Sequence, residues 1–188
     1  LKKGKRFLLA SLSASLAAMV GNLTYGKRKY KDVRAEMIDS SVKGQSLKQF
    51  FIDAIDKDTD AFNKIMDGFS LPKGTEEEKK IRANAIMDAT KEATLVPFSV
   101  LEKTKEAAEI ALITAEKGNQ NSLSDAGVAG LTAESAAEGA FYNVLINLED
   151  IDDETFKTDI REKAIQINNE VKEITAKIKS ILYKRFGV

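Results

Sequence analysis

The chain has no cysteine, no histidine and no tryptophan among its 188 residues, and only two prolines. Without cysteine there is no disulfide framework, no thiol nucleophile and no thiolate metal site. Without histidine the commonest general base is gone, and with it any Ser-His triad and ordinary zinc sites. An enzyme built from this sequence must move protons with Asp, Glu, Lys or Tyr. An excess of either charge is missing too: 29 Lys+Arg balance 29 Asp+Glu, which removes any whole-molecule attraction to nucleic acid or an anionic membrane. There is no Gly-rich phosphate loop and no nucleotide fingerprint.

What is present is a helical composition. An apolar content of 43% supports a real core, and abundant Ala, Lys, Glu, Leu and Ile with so little proline predict an all-α chain. Residues 1–188 read as one domain, a bundle of about five long helices. The first runs from about Arg6 to Tyr25 and is rich in Ala, Ser and Gly, small side chains that let neighbouring backbones approach inside a bundle. The basic start Lys2-Lys3-Gly4-Lys5-Arg6 before Phe7 to Val20 has the outline of a secretory signal, but Ser11, Ser13 and Ser15 dilute the run. A packed helix and a cytoplasmic protein are expected.

A second helix runs from about Lys31 to Phe69, with Gly44 as a weak point, and ends before Pro72. Thr75-Glu76-Glu77-Glu78 opens the third as a capping box, and Pro97 inside it should kink or break it. Gly118 to Asn121 stops that helix, and Ser122 or Ser124 starts a fourth, which runs into Asn147. The fifth spaces Ile160, Ala164, Ile167, Val171, Ile174, Ile178 and Ile181 as a heptad seam for a long partner, in the same chain or a second subunit.

Four groups of side chains are candidates for function. At about 100° per residue, Asp58 shares its direction with Leu47, Phe51, Ala54, Ile55, Ala61 and Phe62, while Asp53, Asp56, Asp60 and Asp67 fall on the opposite face. A core-facing carboxylate is costly unless paired, hydrogen-bonded or held neutral. Asp58 is therefore either a general acid or base, or a core Asp paired with a Lys, an Arg or a helix end. Asn143 and Asn147 lie on one side of a helix whose other sides are apolar, so that helix should be buried all round. Their amides either read a ligand or bond to each other and to neighbouring helix ends. Asn119, with Gly118, Ser124 and Asp125, is a helix stop and N-cap or part of a site. The stretch Lys27 to Lys31 is a solvated run or, with Tyr30, a contact for a ligand bearing carboxylates.

Taken in order, Met19-Val20-Gly21-Asn22-Leu23-Thr24-Tyr25-Gly26-Lys27, Asp56-Lys57-Asp58-Thr59-Asp60-Ala61-Phe62, Leu71-Pro72-Lys73, Glu76 to Lys79, Val96-Pro97, Gly118-Asn119, Ser124-Asp125 and Asn143 to Leu148 resemble the cyclodeaminase domain of formiminotransferase-cyclodeaminase and its free-standing bacterial relatives. The likeness runs from about Ala10 through Ile151, Asp153 and Phe156. The family carries a Pro-Gly-Gly-Gly-Ser turn before its first buried helix, whereas this chain opens Leu1-Lys2-Lys3-Gly4-Lys5-Arg6-Phe7, so the segment before about residue 10 is atypical.

The resemblance implies a metal-free helical folate enzyme, a homodimer or larger, in the one-carbon metabolism that serves histidine degradation. It implies conversion of 5-formimino-tetrahydrofolate to 5,10-methenyl-tetrahydrofolate and ammonia, with methenyl-tetrahydrofolate cyclohydrolase as the alternative. The family's proposed proton donor falls on Asp58, which would stay protonated among apolar neighbours. On that reading Asn143 and Asn147 hold pterin edges, Lys27, Lys29 or Lys73 meet the glutamate tail, and Asn119 and Asp125 complete the substrate-binding set. The competing non-enzymatic reading is a helical interaction protein built on the heptad seam.

Overall fold

The computed structural model describes residues 5–188, so Lys2, Lys3 and Gly4 of the signal-like start lie outside the described residues. The chain forms five long helices: α1 Lys5–Tyr25, α2 Arg34–Ser70, α3 Glu76–Lys117, α4 Leu123–Glu149 and α5 Glu154–Phe186. Short 3₁₀ turns at Arg28–Val33 and Gln120–Ser122 lead into α2 and α4. The all-α bundle expected from composition is what forms. Its boundaries have local causes. Thr75 and Glu78 make a reciprocal capping box at the start of α3, with Glu76, Glu77 and Glu78 on the positive end of its dipole. Asp153 caps α5 by accepting from the Phe156 amide at 3.1 Å.

The helices run up and down. Helix α1 packs against α2, α3 and α4, and α5 lies along α3 and α4. The heptad seam of α5 thus finds its partner within the chain, with Ile160, Ala164, Val171 and Ile178 buried. Small residues set the α1–α2 distance. A methyl group on Gly44 would stand 2.8 Å from the Ala14 carbonyl and 2.8 Å from the Ala18 Cβ. Ser41 donates to the Ala18 carbonyl at 3.2 Å, and Ser13 donates to the Ala129 carbonyl of α4 at 2.8 Å. These serines occupy positions where a larger side chain would push the helices apart.

Three expectations are corrected. Gly44 is no weak point: α2 passes through it without a break, because its missing side chain serves packing. Helix α3 likewise continues through Pro97 for 42 residues. Helix α4 is not buried all round, since Val128, Leu131, Tyr142 and Ile146 are exposed, as are Leu8, Leu12, Met19 and Leu23 on α1. Apolar sequence on every side of a helix does not by itself mean that every side has a neighbour.

A polar ladder joins α4 to α5. Lys179 and Thr175 donate to Glu134, and Lys172 and Asn168 reach Glu138. These bonds hold both carboxyls below the usual glutamate range, led by Lys179 for Glu134 and by Asn168 for Glu138. A groove of ≈ 700 Å³ lies over the ladder.

Two outcomes follow from this packing. Gly44→Ala should destabilise by about 1–3 kcal/mol in urea unfolding, because the backbone it meets cannot rotate away. Gly26→Ala, with nothing within 4 Å of the new methyl, should stay within about 0.5 kcal/mol. Carboxyls with lowered folded-state values contribute stability that is full above the unfolded glutamate range and lost as pH falls through the folded value. A Glu134→Gln/Glu138→Gln chain should therefore lose less stability than the parent between about pH 5 and pH 3.

Candidate functional site

Asp58 sits two-thirds of the way along α2 on the side that faces the bundle. The other five aspartates of that helix, Asp39, Asp53, Asp56, Asp60 and Asp67, are exposed, and Asp58 is not. Its neighbour across the helix gap is Arg6 of α1: Nη2 donates to Oδ1 at 2.9 Å, with the two side chains 11% and 15% exposed. Of the two readings of Asp58, the inward carboxyl paired with an arginine is the arrangement that forms. Periodicity placed Asp58 toward the core, but it carries no information about which residue of another helix stands opposite.

Arg6 is the residue of this candidate cleft that sequence reasoning missed. Its guanidinium lies 4.5 Å from the centre of the Phe7 ring. Burial pulls its basicity down from the ordinary value, and the charge and hydrogen bond of Asp58 push it back up. An arginine starts so far above neutrality that it remains a cation, and such an ion pair is made by the carboxylate. The available signal was a basic residue in the first turn of a helix that carries no charge from Phe7 to Tyr25.

The pair opens onto a small cleft of ≈ 60 Å³ lined by Arg6, Asp58, Phe62, Ala93, Asn143 and Asn147. Four helices contribute to it. Asn147 donates from Nδ2 to the Ala93 carbonyl at 3.0 Å. The partner is not arbitrary. In a regular helix that carbonyl accepts the amide of residue 97, which here is Pro97 and has no N–H. Asn147 supplies the missing donor, which is one reason α3 runs through its proline unbroken. Asn143 donates to the Gly139 carbonyl of its own helix at 2.8 Å. Both amides thus commit Nδ2 to backbone, and what each still offers is its Oδ1 acceptor.

The remaining candidates lie elsewhere. Lys27 and Lys29 are exposed at the far end of α1, about 30 Å from Arg6 at about 1.5 Å per residue. Lys73 is exposed in the loop after α2, about 20 Å beyond Asp58 in the opposite sense. Asn119 is buried in a turn: its amide donates to Thr24 Oγ1 at 2.8 Å, and its Oδ1 accepts from Asn121 at 3.3 Å. The next amide, of Gln120, donates to the Tyr30 hydroxyl at 3.1 Å. These bonds close the end of the bundle, the structural role weighed for Gly118 and Asn119. Asp125 is half-buried in the first turn of α4, where the dipole favours an acid. The fold therefore brings together Asp58, Asn143 and Asn147, and keeps the other five away from them within one chain.

With this geometry in view, the comparisons with known proteins agree on one family and divide between two activity names. The family model described as formiminotransferase-cyclodeaminase matches residues 7–166. The methenyltetrahydrofolate cyclohydrolase of Methylorubrum extorquens is 40% identical over 153 residues, 81% of this chain and 74% of that protein. The formimidoyltransferase-cyclodeaminase of Gallus gallus is 34% identical over 94% of this chain, which spans only 32% of that protein's length. The crystal structure of formiminotetrahydrofolate cyclodeaminase from Thermotoga maritima matches with a TM-score of 0.87 and 28% identity, over 98% of this chain and 88% of that one.

Asn147→Ala should cost about 1–3 kcal/mol in urea unfolding, the penalty for a buried carbonyl left without a donor. In a Pro97→Ala background the same change should cost clearly less, because the restored amide satisfies Ala93. Equal costs in both backgrounds would detach Asn147 from the proline.

Proposed function

The chain belongs to the formiminotransferase-cyclodeaminase family, and on that premise we propose that it acts on the one-carbon bridge of a reduced folate, hydrolysing 5,10-methenyltetrahydrofolate to 10-formyltetrahydrofolate. The observation that carries this reading is the Arg6–Asp58 ion pair at the edge of a cleft large enough for water. A carboxylate accepts a proton, so Asp58 takes one from a water as its oxygen attacks the bridge carbon. The bond from that carbon to N5 then breaks as its electron pair takes the proton from Asp58 at N5, the added hydroxyl gives its proton to solvent, and the resulting formyl group stays on N10. One proton is released overall. The Oδ1 atoms of Asn143 and Asn147 face this chemistry as acceptors for N–H groups of the pterin.

Deamination of 5-formiminotetrahydrofolate is the second reading, favoured by the names of the Gallus gallus protein and the Thermotoga maritima structure. There the attacking group is N10 and the leaving group is ammonia, which departs only when protonated. It asks the cleft for a proton donor, and Asp58 paired with Arg6 is better suited to accept. The relative of similar length, from Methylorubrum extorquens, carries the cyclohydrolase name.

Two assays on the same preparation test this. Loss of methenyl absorbance should be fast, and ammonia release from the formimino substrate slow. Asp58→Asn should lower hydrolysis by about 10²–10⁴-fold. The fold should survive, and so should the added stability from ligand, about 2.7 kcal/mol at 100 times its dissociation constant. Faster ammonia release than hydrolysis would select deamination, and an active Asp58→Asn chain would sink both readings.

A further inference from the structure

Arg6 aside, the side chains that line the Asp58 cleft present acceptors. Asn143 and Asn147 both spend Nδ2 on backbone carbonyls, which leaves their Oδ1 atoms. Asp58 adds a carboxylate, and the Phe62 and Ala93 side chains carry no hydrogen-bonding group. Three acceptors, one of them negative, are complementary to a positive charge. Arg6 supplies that charge, and among the described residues that line the cleft it is the only cation. With Arg6 in place the charges of the lining cancel. With its side chain withdrawn the lining keeps one negative charge.

Arg6 fills this position rather than bordering it. Its guanidinium donates to Asp58 at 2.9 Å and lies 4.5 Å from the centre of the Phe7 ring. Its stem passes so near α4 that a methyl group on Gly139 would stand 3.4 Å from the Arg6 Cβ. The space left is ≈ 60 Å³, room for water, whereas pockets for drug-sized ligands run about 300–1,000 Å³. A folate brings its bridge carbon to Asp58 only when the Arg6 side chain has swung away. Burial is the largest influence on this guanidinium and opposes its charge, so moving out returns hydration that the pair gave up.

Substrate and product of the proposed reaction differ in charge at this position. The bridge of 5,10-methenyltetrahydrofolate is an amidinium: one carbon between two nitrogens, planar, with a full positive charge spread over the three atoms. A guanidinium is the same kind of cation, planar and delocalised about one carbon. Bridge and Arg6 therefore compete for one carboxylate. In 10-formyltetrahydrofolate the charge is gone, since N10 is an amide and N5 a neutral amine. The exchange also suits the reaction. It sets the electrophilic carbon against Asp58, and the substrate's charge keeps the carboxylate ionised after Arg6 has left.

We propose that Arg6 is an internal stand-in for the substrate's cation: it pairs with Asp58 in the free protein, yields to the amidinium bridge of methenyl folate, and returns once hydrolysis has removed the charge. This rests on the hydrolytic reading above and adds the charge state of the ligand that the site selects.

Two measurements test it, one of them without any folate. Arg6→Gln should lower KM for 5,10-methenyltetrahydrofolate about tenfold, because no side chain competes for Asp58, with kcat within about twofold. The inhibition constant of 10-formyltetrahydrofolate should not follow, because its neutral bridge gives the carboxylate no partner. Arg6→Lys, which keeps the charge, should stay near the parent in both. If both constants fall in step, or KM in Arg6→Gln is unchanged or raised, Arg6 is no stand-in and the proposal is overturned. In the second arm formamidinium, the smallest amidinium, is added to Arg6→Ala. Its melting temperature should rise with formamidinium chloride above that in equal sodium chloride, and the rise should vanish in Arg6→Ala/Asp58→Asn. No rise in Arg6→Ala, or an equal rise in both variants, would also overturn the proposal. A formamidinium response in a chain that turns over no folate would leave the cation site standing and sink the folate reading instead.

Discussion

Close approach of α1 to its neighbours is the constraint on which the rest of the molecule depends. Gly44 leaves room for the backbone of Ala14, while Ser41 and Ser13 tie α1 to α2 and α4 with bonds to main-chain carbonyls. With wider spacing, Arg6 would not reach Asp58, and the amides of α4 would not share a cleft with either. Placing small residues where two backbones meet gives up hydrophobic area at each position. It gains dispersion contacts along the helix length and, at one end, a site with four walls.

That site spends polar groups in a way that stability alone does not require. A largely buried ion pair contributes little net stability compared with apolar residues of similar volume, because both charges lose water. Asn147 is different: it replaces a donor that Pro97 removed, so one amide supports the long helix and walls the cleft at once. The carboxylate is held by a cation on one side and open to water on the other. That pairing with Arg6 is the observation on which the proposed base role rests, in place of the donor expected among apolar neighbours.

Much of this was legible before any coordinates. The helices, their caps and the inward direction of Asp58 follow from local preferences and a period of 3.6, which act over a few residues and leave a mark in each. The cleft was legible only in part. Asp58, Asn143 and Asn147 stand out in the sequence and do converge, whereas Arg6 reads there only as part of a basic start. Lys27, Lys29, Lys73, Asn119 and Asp125 look like neighbours of the site only when residue type is read without distance. Asn119 shows the limit clearly, since its conspicuous Gly-Asn setting is accounted for by Thr24, Asn121 and Ser122 closing a turn.

The sequence by itself determined the class of fold, the lengths of the helices, the exclusion of thiol and imidazole chemistry, and the face of α2 that carries its one inward acid. Tertiary structure alone decided that Arg6 answers that acid, that Asn147 completes the turn broken by Pro97, and that the apolar stripes of α1 and α4 face outward. The physical reason is that helical periodicity fixes each side chain's direction about its own axis. Which helix stands in that direction, at what height, or whether none does, is set by packing between residues tens of positions apart.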